Sequence, residues 1–373
     1  MINEKRLIEV FKELVQIDSE TKNERKIADI LKEKFTALGL EVTEDNAEET
    51  TEHGAGNLIC TLKGNEEGVE TIYFTSHMDT VVPGNGIKPI EENGYITSDG
   101  STILGADDKA GIAAMLESIK TIQENEIPHG TIQFVITVGE ESGLVGAKAL
   151  DSSLLQADYG YALDSDGEVG EIVVAAPYQA KLKIIVNGKT AHAGVAPEKG
   201  ISAITVASKA IANMPLGRID EDTTANIGRF EGGSQTNIVC DQVGILAEAR
   251  SLVKNKLDKQ VAAMEQAFKN AADKMGSSAE IETELMYPGY KLSSSDQVVA
   301  VAMKAAERIG RKPKLLRSGG GSDGNIISGY GVPTVNLAVG YEDIHTTNEK
   351  IPVSELVKIT EMIGAIIEET LAD

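Results

Sequence analysis

An α/β fold interrupted by a smaller α+β module is what this sequence predicts, on three observations. Short β-branched apolar runs alternate with helical patterns through the first half, the mark of a sheet with substantial parallel character. From about Ala180 the order becomes β-α-β-β-α-β, which matches a ferredoxin-like module of roughly a hundred residues. After Gly289 the helix/strand alternation returns. The 373 residues exceed what one hydrophobic core usually supports, so the expected division is 1–178, an inserted 179–287, and 288–373.

The chain opens on MINEKRLIEVFKELVQ, whose apolar residues recur at helical spacing. This reads as an amphipathic helix without the apolar stretch of a signal peptide, so a cytoplasmic protein is expected. Strand candidates follow at NLICTLKG, TIYFTSH, TIQFVITVGEE and YGYALD, with the helix KAGIAAMLESIKTIQE among them. The run TIQFVITV suits a strand buried on both faces. In the inserted module KLKIIVNG, TTANIGRFEG, NIVCDQVGILAEARS and AEIETELMYPG read as strands. ISAITVASKAIANM and a long segment, 255–274, read as its two helices. The last part supplies QVVAVAMKAAERIG, KPKLLRSGG, PTVNLAVG and a closing helix, SELVKITEMIGAIIEETL.

Bulk properties exclude several classes. No apolar run approaches the roughly 18 residues of a membrane-spanning helix, so no membrane partner is expected. A net charge of −23 repels phosphate backbones and argues against nucleic acid. Cys60 and Cys240 are the only cysteines and form no CxxC pair, which argues against a disulfide framework or a zinc ribbon and fits a reducing compartment.

The polar residues that follow the strands carry the chemistry. TIYFT runs into SHMDTV, TIQFVITV into GEES, YGYAL into DSD, and TVNLAVG into YEDIHTT. Carboxyl ends of strands line the crevice of an open α/β sheet, so four strands ending near an acid or histidine point to a ligand site. His77 and Asp79 stand two apart on one face of an extended chain, and Asp79 is placed to orient the His77 ring. Asp107 and Asp108 open a helix; one can cap it, leaving the other free to ligate. Adjacent Glu140 and Glu141 can divide labour between proton transfer and metal binding. Asp164 and His345 complete a set of N and O donors that suits zinc or another divalent ion.

The ordered motifs HMD, ADDKAG, GEE, ALDSD and HTTNE resemble those of the M20 metallopeptidases, in particular peptidase T-like tripeptidases. That resemblance spans nearly the whole chain and implies a zinc-peptidase-like catalytic domain with an inserted lid and dimerisation domain. It implies two Zn²⁺ per subunit, with Co²⁺ or Mn²⁺ as substitutes. His77 and Asp164 would bind one ion, Glu141 and His345 the other. Asp107 would bridge them and Asp108 follow across a cis peptide, with Asp79 orienting His77 and Glu140 the general base on water. His192, in NGKTAHAGVAPEKGISAI, would reach a partner subunit's site in a homodimer formed through the lid. Asn237, Arg250, Gly320 and Ser322 match positions that contact substrate, the arginine as a fork for a terminal carboxylate. The implied reaction is hydrolysis of short peptides, releasing the N-terminal residue of tripeptides. The same ligands also serve carboxypeptidases, dipeptidases and N-acyl-amino-acid deacylases of this type.

Two readings of other classes remain open from the residues alone. Gly320, Gly321, Ser322, Asp323 and Gly324 fit G-x-S-x-G, with Asp343 and His345 following in serine-hydrolase order. The same donors could also form a metal-binding protein without turnover, which would have no need of Glu140 as a base.

Overall fold

The structure, a computed structural model, describes residues 2–371. Two compact units divide the chain: one holds everything through Ala175, Leu292–Ser318, and the residues from Ser322 onward; the other holds Ala176–Lys291 and Gly319–Gly321.

The main sheet of the first unit has the strand order Glu41–Glu44, Leu58–Leu62, Ile132–Thr137, Ile72–His77, Tyr159–Ser165, Thr334–Ala338, Glu171–Ala176, with Lys314–Arg317 also paired to the last. The four strands from Ile132–Thr137 to Thr334–Ala338 run parallel, and their outer neighbours antiparallel. The sheet is therefore mixed, with a parallel centre. Every residue of Ile72–His77 and Ile132–Thr137 is buried, as expected of strands covered on both faces. Alternate side chains go to opposite faces. On one, Phe35, Phe134, Phe74 and Tyr161 form a row with successive ring centroids 6.2, 5.9 and 5.6 Å apart. On the other, Tyr73 and Val135 join Ile59, Leu150, Leu155 and Ile327. Truncating a buried phenylalanine of that row to alanine costs about 3–5 kcal/mol.

The helices Glu4–Val15, Ala106–Glu124, Gln297–Arg308 and Val353–Glu369 contribute to the larger core cluster through Phe11, Met115, Val299 and Ile363. Ala106–Glu124 is buried along most of its length. Gly111 permits its close approach, since a Cβ there would lie 2.2 Å from Ser76 Oγ.

The second unit has the strand order Gly217–Arg218, Thr223–Gly232, Gln242–Ser251, Tyr178–Asn187, Ser278–Tyr287, all antiparallel. Helices Ala203–Ala212 and Lys254–Lys274 supply the remaining elements of the β-α-β-β-α-β order. Burial alternates along Gln242–Ser251, so Val243, Ile245, Ala247 and Ala249 join the core with Val206 and Phe268. One strand is shorter than its sequence suggests. NIVCDQVGILAEARS becomes strand only from Gln242, because the stretch before it pairs elsewhere: Ala193 N–H donates to Asn237 O (2.9 Å) and Val239 N–H to Ala191 O (3.0 Å).

Candidate metal centre

The parallel strands deliver their carboxyl ends to one edge of the sheet, and the donors collect there. His77 is the last residue of Ile72–His77, and Asp164 the penultimate residue of Tyr159–Ser165. Glu140 and Glu141 follow Ile132–Thr137 after a turn at Gly139, whose φ is +58°. A Cβ at Gly139 would lie 2.4 Å from His53 Nε2, so the turn demands glycine on two counts. His345 sits in the loop after Thr334–Ala338. Asp107 and Asp108 occupy the first turn of Ala106–Glu124 with non-helical angles, and the peptide between them is cis.

The Asp107 carboxylate holds the centre. Its Oδ1 lies 3.0 Å from His77 Nε2 and its Oδ2 3.3 Å from His345 Nε2. His77 Nε2 also lies 3.7 Å from Asp164 Oδ1, and His345 Nε2 2.9 Å from Glu141 Oε1. Three overlapping groups, His77/Asp107/Asp164, His77/Glu140/Glu141 and Asp107/Glu141/His345, each bring donor atoms within 4.8 Å of one another.

His77 is oriented from behind by the Asp79 main-chain carbonyl, 2.9 Å from its Nδ1, with the Asp79 carboxylate farther at 3.5 Å. That carboxylate has a second set of partners. It accepts the N–H groups of Glu140 (3.0 Å) and Glu141 (3.3 Å) and so fixes the turn bearing both glutamates.

Four carboxylates, Asp107, Glu140, Glu141 and Asp164, thus converge on two imidazoles. Burial, then the neighbouring Asp164, pushes the Glu140 carboxyl well above the usual range, although the side chain keeps some exposure. Burial does the same to Asp164, reinforced by Asp107. Asp108, fully buried, is also pushed up, first by burial and then by Asp164. Hydrogen bonds to Asp107 and Glu141 raise His345 to about 10. Burial alone would lower His77, but bonds to Asp107 and Asp79 outweigh it and hold it well above its ordinary value. The two histidines leave negative charge unmatched, so N and O donors crowded in this way fit divalent cations.

Several residues that the sequence reading left unassigned support this centre. The Asn336 carboxamide grips the main chain of Asp164, accepting its N–H at 2.9 Å and donating to its O at 2.6 Å. Tyr341 Oη donates to Asp164 Oδ1 at 3.4 Å. Asp323 accepts from Thr137 Oγ1 at 2.5 Å; burial pushes it up to about 6 against that bond. Glu349 accepts the N–H groups of Leu104, Gly105 and Asp107. Two of these had a sequence signal: Asn336, a lone amide inside the apolar run TVNLAVG, and Glu349, the last residue of HTTNE.

The remaining expected residues serve other contacts. Ser322 forms a capping box with Asn325 at the helix Asp323–Gly329 and accepts from Asn336 Nδ2 at 3.3 Å. With His345 Nε2 facing Glu141 and Asp107, the geometry offers no support for a Ser322–His345 nucleophilic pair. His192, Asn237, Arg250 and Gly320 belong to the second unit. There His192 and Asn237 lie on adjoining segments, joined by the bond from Ala193, and His192 Nδ1 accepts from Gly194 N–H at 3.2 Å. Glu248 engages the Arg250 fork at 2.9 and 3.2 Å, and Arg250 Nη1 donates to Gly319 O at 2.9 Å.

The profile of peptidase family M20/M25/M40 matches residues 73–369. The chain is 68% identical over 369 residues to the Bacillus subtilis (strain 168) protein YqjE, covering 99% of each. It superimposes on the aminopeptidase PepT of Bacillus cereus ATCC 10987 with a TM-score of 0.97 at 67% identity, covering 99% of each chain. A tripeptidase from Staphylococcus aureus subsp. aureus mu50 gives 0.98 at 53% identity over 100% of both.

Proposed function

The chain belongs to peptidase family M20/M25/M40, and from that premise we propose that it is a two-metal peptidase releasing the N-terminal residue of tripeptides. The observation that carries this reading is the Asp107 carboxylate, which turns one oxygen to His77 and the other to His345. In the proposed site His77, Asp107 and Asp164 would hold one ion, and Asp107, Glu141 and His345 the other. Zinc suits these donors, and cobalt or manganese can substitute. Bound divalent ions supply Lewis acidity toward a carbonyl oxygen and make water acidic near neutral pH.

The chain's own groups do the rest. Glu140 takes a proton from the attacking water and returns it to the leaving amine. Asp79 holds the turn that aims Glu140, through two main-chain N–H bonds. His192, Asn237, Arg250, Gly320 and Ser322 are proposed to contact substrate, with His192 serving the partner of a homodimer formed through the inserted domain. Arg250 is the candidate for a substrate carboxylate, which would replace Glu248 in its fork. The names of the Bacillus cereus aminopeptidase and the Staphylococcus aureus tripeptidase support the choice of substrate, and a cytoplasmic location agrees with the composition.

The test is a panel of dipeptides, tripeptides and N-acylated amino acids, assayed with and without added zinc or cobalt. Metal-dependent cleavage of tripeptides with a free N-terminus is expected. Preference for acylated substrates would move the protein to the deacylases, and activity untouched by chelators would remove the metal reading altogether.

A further inference from the structure

His345 stands on an awkward piece of backbone. Both Asp343 (φ +56°) and His345 (φ +60°) are left-handed without being glycine, a conformation that costs about 1 kcal/mol or more at each residue. Such backbone persists only where its surroundings over-determine it. The His345 side chain is half exposed and cannot hold the loop by packing. Inside the loop the ties are light: Thr346 Oγ1 donates to Asp343 O at 2.7 Å, and Asn348 N–H to Thr346 Oγ1 at 3.1 Å. The base is closed by a bridge between Glu342 and Lys350.

Glu349, at the end of this loop, is 1% exposed. Its Oε2 accepts the N–H groups of Leu104 and Gly105, both at 2.8 Å, and its Oε1 that of Asp107 at 3.0 Å. Those donors form the turn that presents Asp107, where Gly105 is itself left-handed at φ +75°. One buried carboxylate therefore ties the loop bearing one proposed ligand to the turn bearing another. Charge-assisted bonds of this kind are about twice as strong as neutral ones.

We propose that Glu349 is a positioning residue that locks the His345 loop to the Asp107 turn and so sets the affinity for the ion these two residues share. The inference rests on the two-metal reading above. Glu349 belongs to none of the three donor groups, and both its oxygens accept main-chain N–H groups. It acts through main-chain atoms, so its effect is confined to the geometry of Asp107 and His345.

The test is titration of metal-stripped protein with Co²⁺, following ligand-field absorption and calorimetry. Wild type, Glu349→Ala, Glu349→Gln, His345→Ala and the Glu349→Ala/His345→Ala pair are compared. Wild type is expected to bind two ions. Glu349→Ala should loosen the ion that His345→Ala also loosens by about 10- to 100-fold, the range for partners that orient metal ligands, and affect the other, which is reached only through Asp107, less. In Glu349→Gln the amide keeps one acceptor oxygen but turns its NH2 toward a backbone donor, so an intermediate loss is expected; it also carries the comparison if the alanine variant fails to fold. Once His345 is gone, removing Glu349 should add clearly less than it costs alone, the remainder acting through Asp107, because coupled residues are not additive. Wild-type affinity in both Glu349 variants, or additive losses in the pair, would overturn the proposal. A wild type that binds no pair of ions, or an unchanged His345→Ala, would instead remove the two-metal reading on which the proposal stands.

Discussion

Two acidic regions of the first unit treat their carboxylates in opposite ways. Along the amino-terminal helices Glu117 and Glu44 each have cations of their own. Arg6 reaches Glu117 at 2.7 and 2.9 Å, while Arg25 and Lys32 reach Glu44 at 2.7 and 2.8 Å. Burial opposes ionisation of Glu44, yet Arg25, Lys32 and the Gly56 N–H outweigh it and hold that carboxyl down at about 2. At the carboxyl edge of the sheet, Asp107, Glu140, Glu141 and Asp164 face two histidines, and neither Arg nor Lys forms an ion pair with them among the described residues. There Glu140 and Asp164 are pushed up, chiefly by burial. Acids that bring their own cation stabilise the fold; acids left in excess create a place for a cation from outside.

The comparison breaks most visibly at Glu140. Glu140→Ala should retain bound metal and lose about 10³-fold in turnover, as expected for removal of a general base. Parallel measurement of kcat and of metal content decides it, and loss of the metal itself would recast Glu140 as a ligand. Next in size is stabilisation by the ion. Zinc or cobalt at about 100 times its Kd should add about 2.7 kcal/mol to unfolding stability, read as a raised thermal midpoint that a chelator reverses. No shift in the midpoint would mean that the excess carboxylates do not gather a cation.

Smaller effects belong to the paired region. Arg6→Ala leaves Glu117, 2% exposed, with the Asn3 N–H and the Thr121 hydroxyl as its remaining bonds. Stability in urea should fall by about 2 kcal/mol, below the usual 3–5 for a stranded buried charge because those bonds survive. Turnover per folded molecule should not change. Glu44→Gln should cost about 1 kcal/mol at neutral pH. The sign follows from a folded pKa of about 2, below the ordinary 4.5: the stabilisation is complete above 4.5 and is lost as pH falls toward 2. Wild type and variant should therefore converge in acid. A difference that persisted at pH 2 would assign the loss to packing rather than charge.

Much of the architecture was legible in local pattern. The apolar runs at Ile72–His77, Ile132–Thr137 and Tyr159–Ser165 and the helical spacing of Ala106–Glu124 declared themselves because burial imposes periodicity on neighbouring residues. The acids and histidines at the strand ends were legible for the same reason. The start of Gln242–Ser251 was not legible, since Asn237 and Val239 find their partners 44 and 48 residues upstream. Asp79 illustrates the limit within the site. Spacing placed it behind His77, but spacing could not show that its carbonyl meets the ring while its carboxylate holds Glu140 and Glu141.

The sequence by itself determined the order of elements, the α/β class with its inserted α+β module, and a short list of polar residues that follow apolar strands. Tertiary structure decided which of those residues meet. Asp107 and His345 are 238 residues apart, and their approach to 3.3 Å depends on strand order in the sheet and on Glu349 beneath the loop. Periodicity records whether a side chain faces core or solvent, a property of each element alone. Convergence is a property of several elements at once, so only the folded chain can express it.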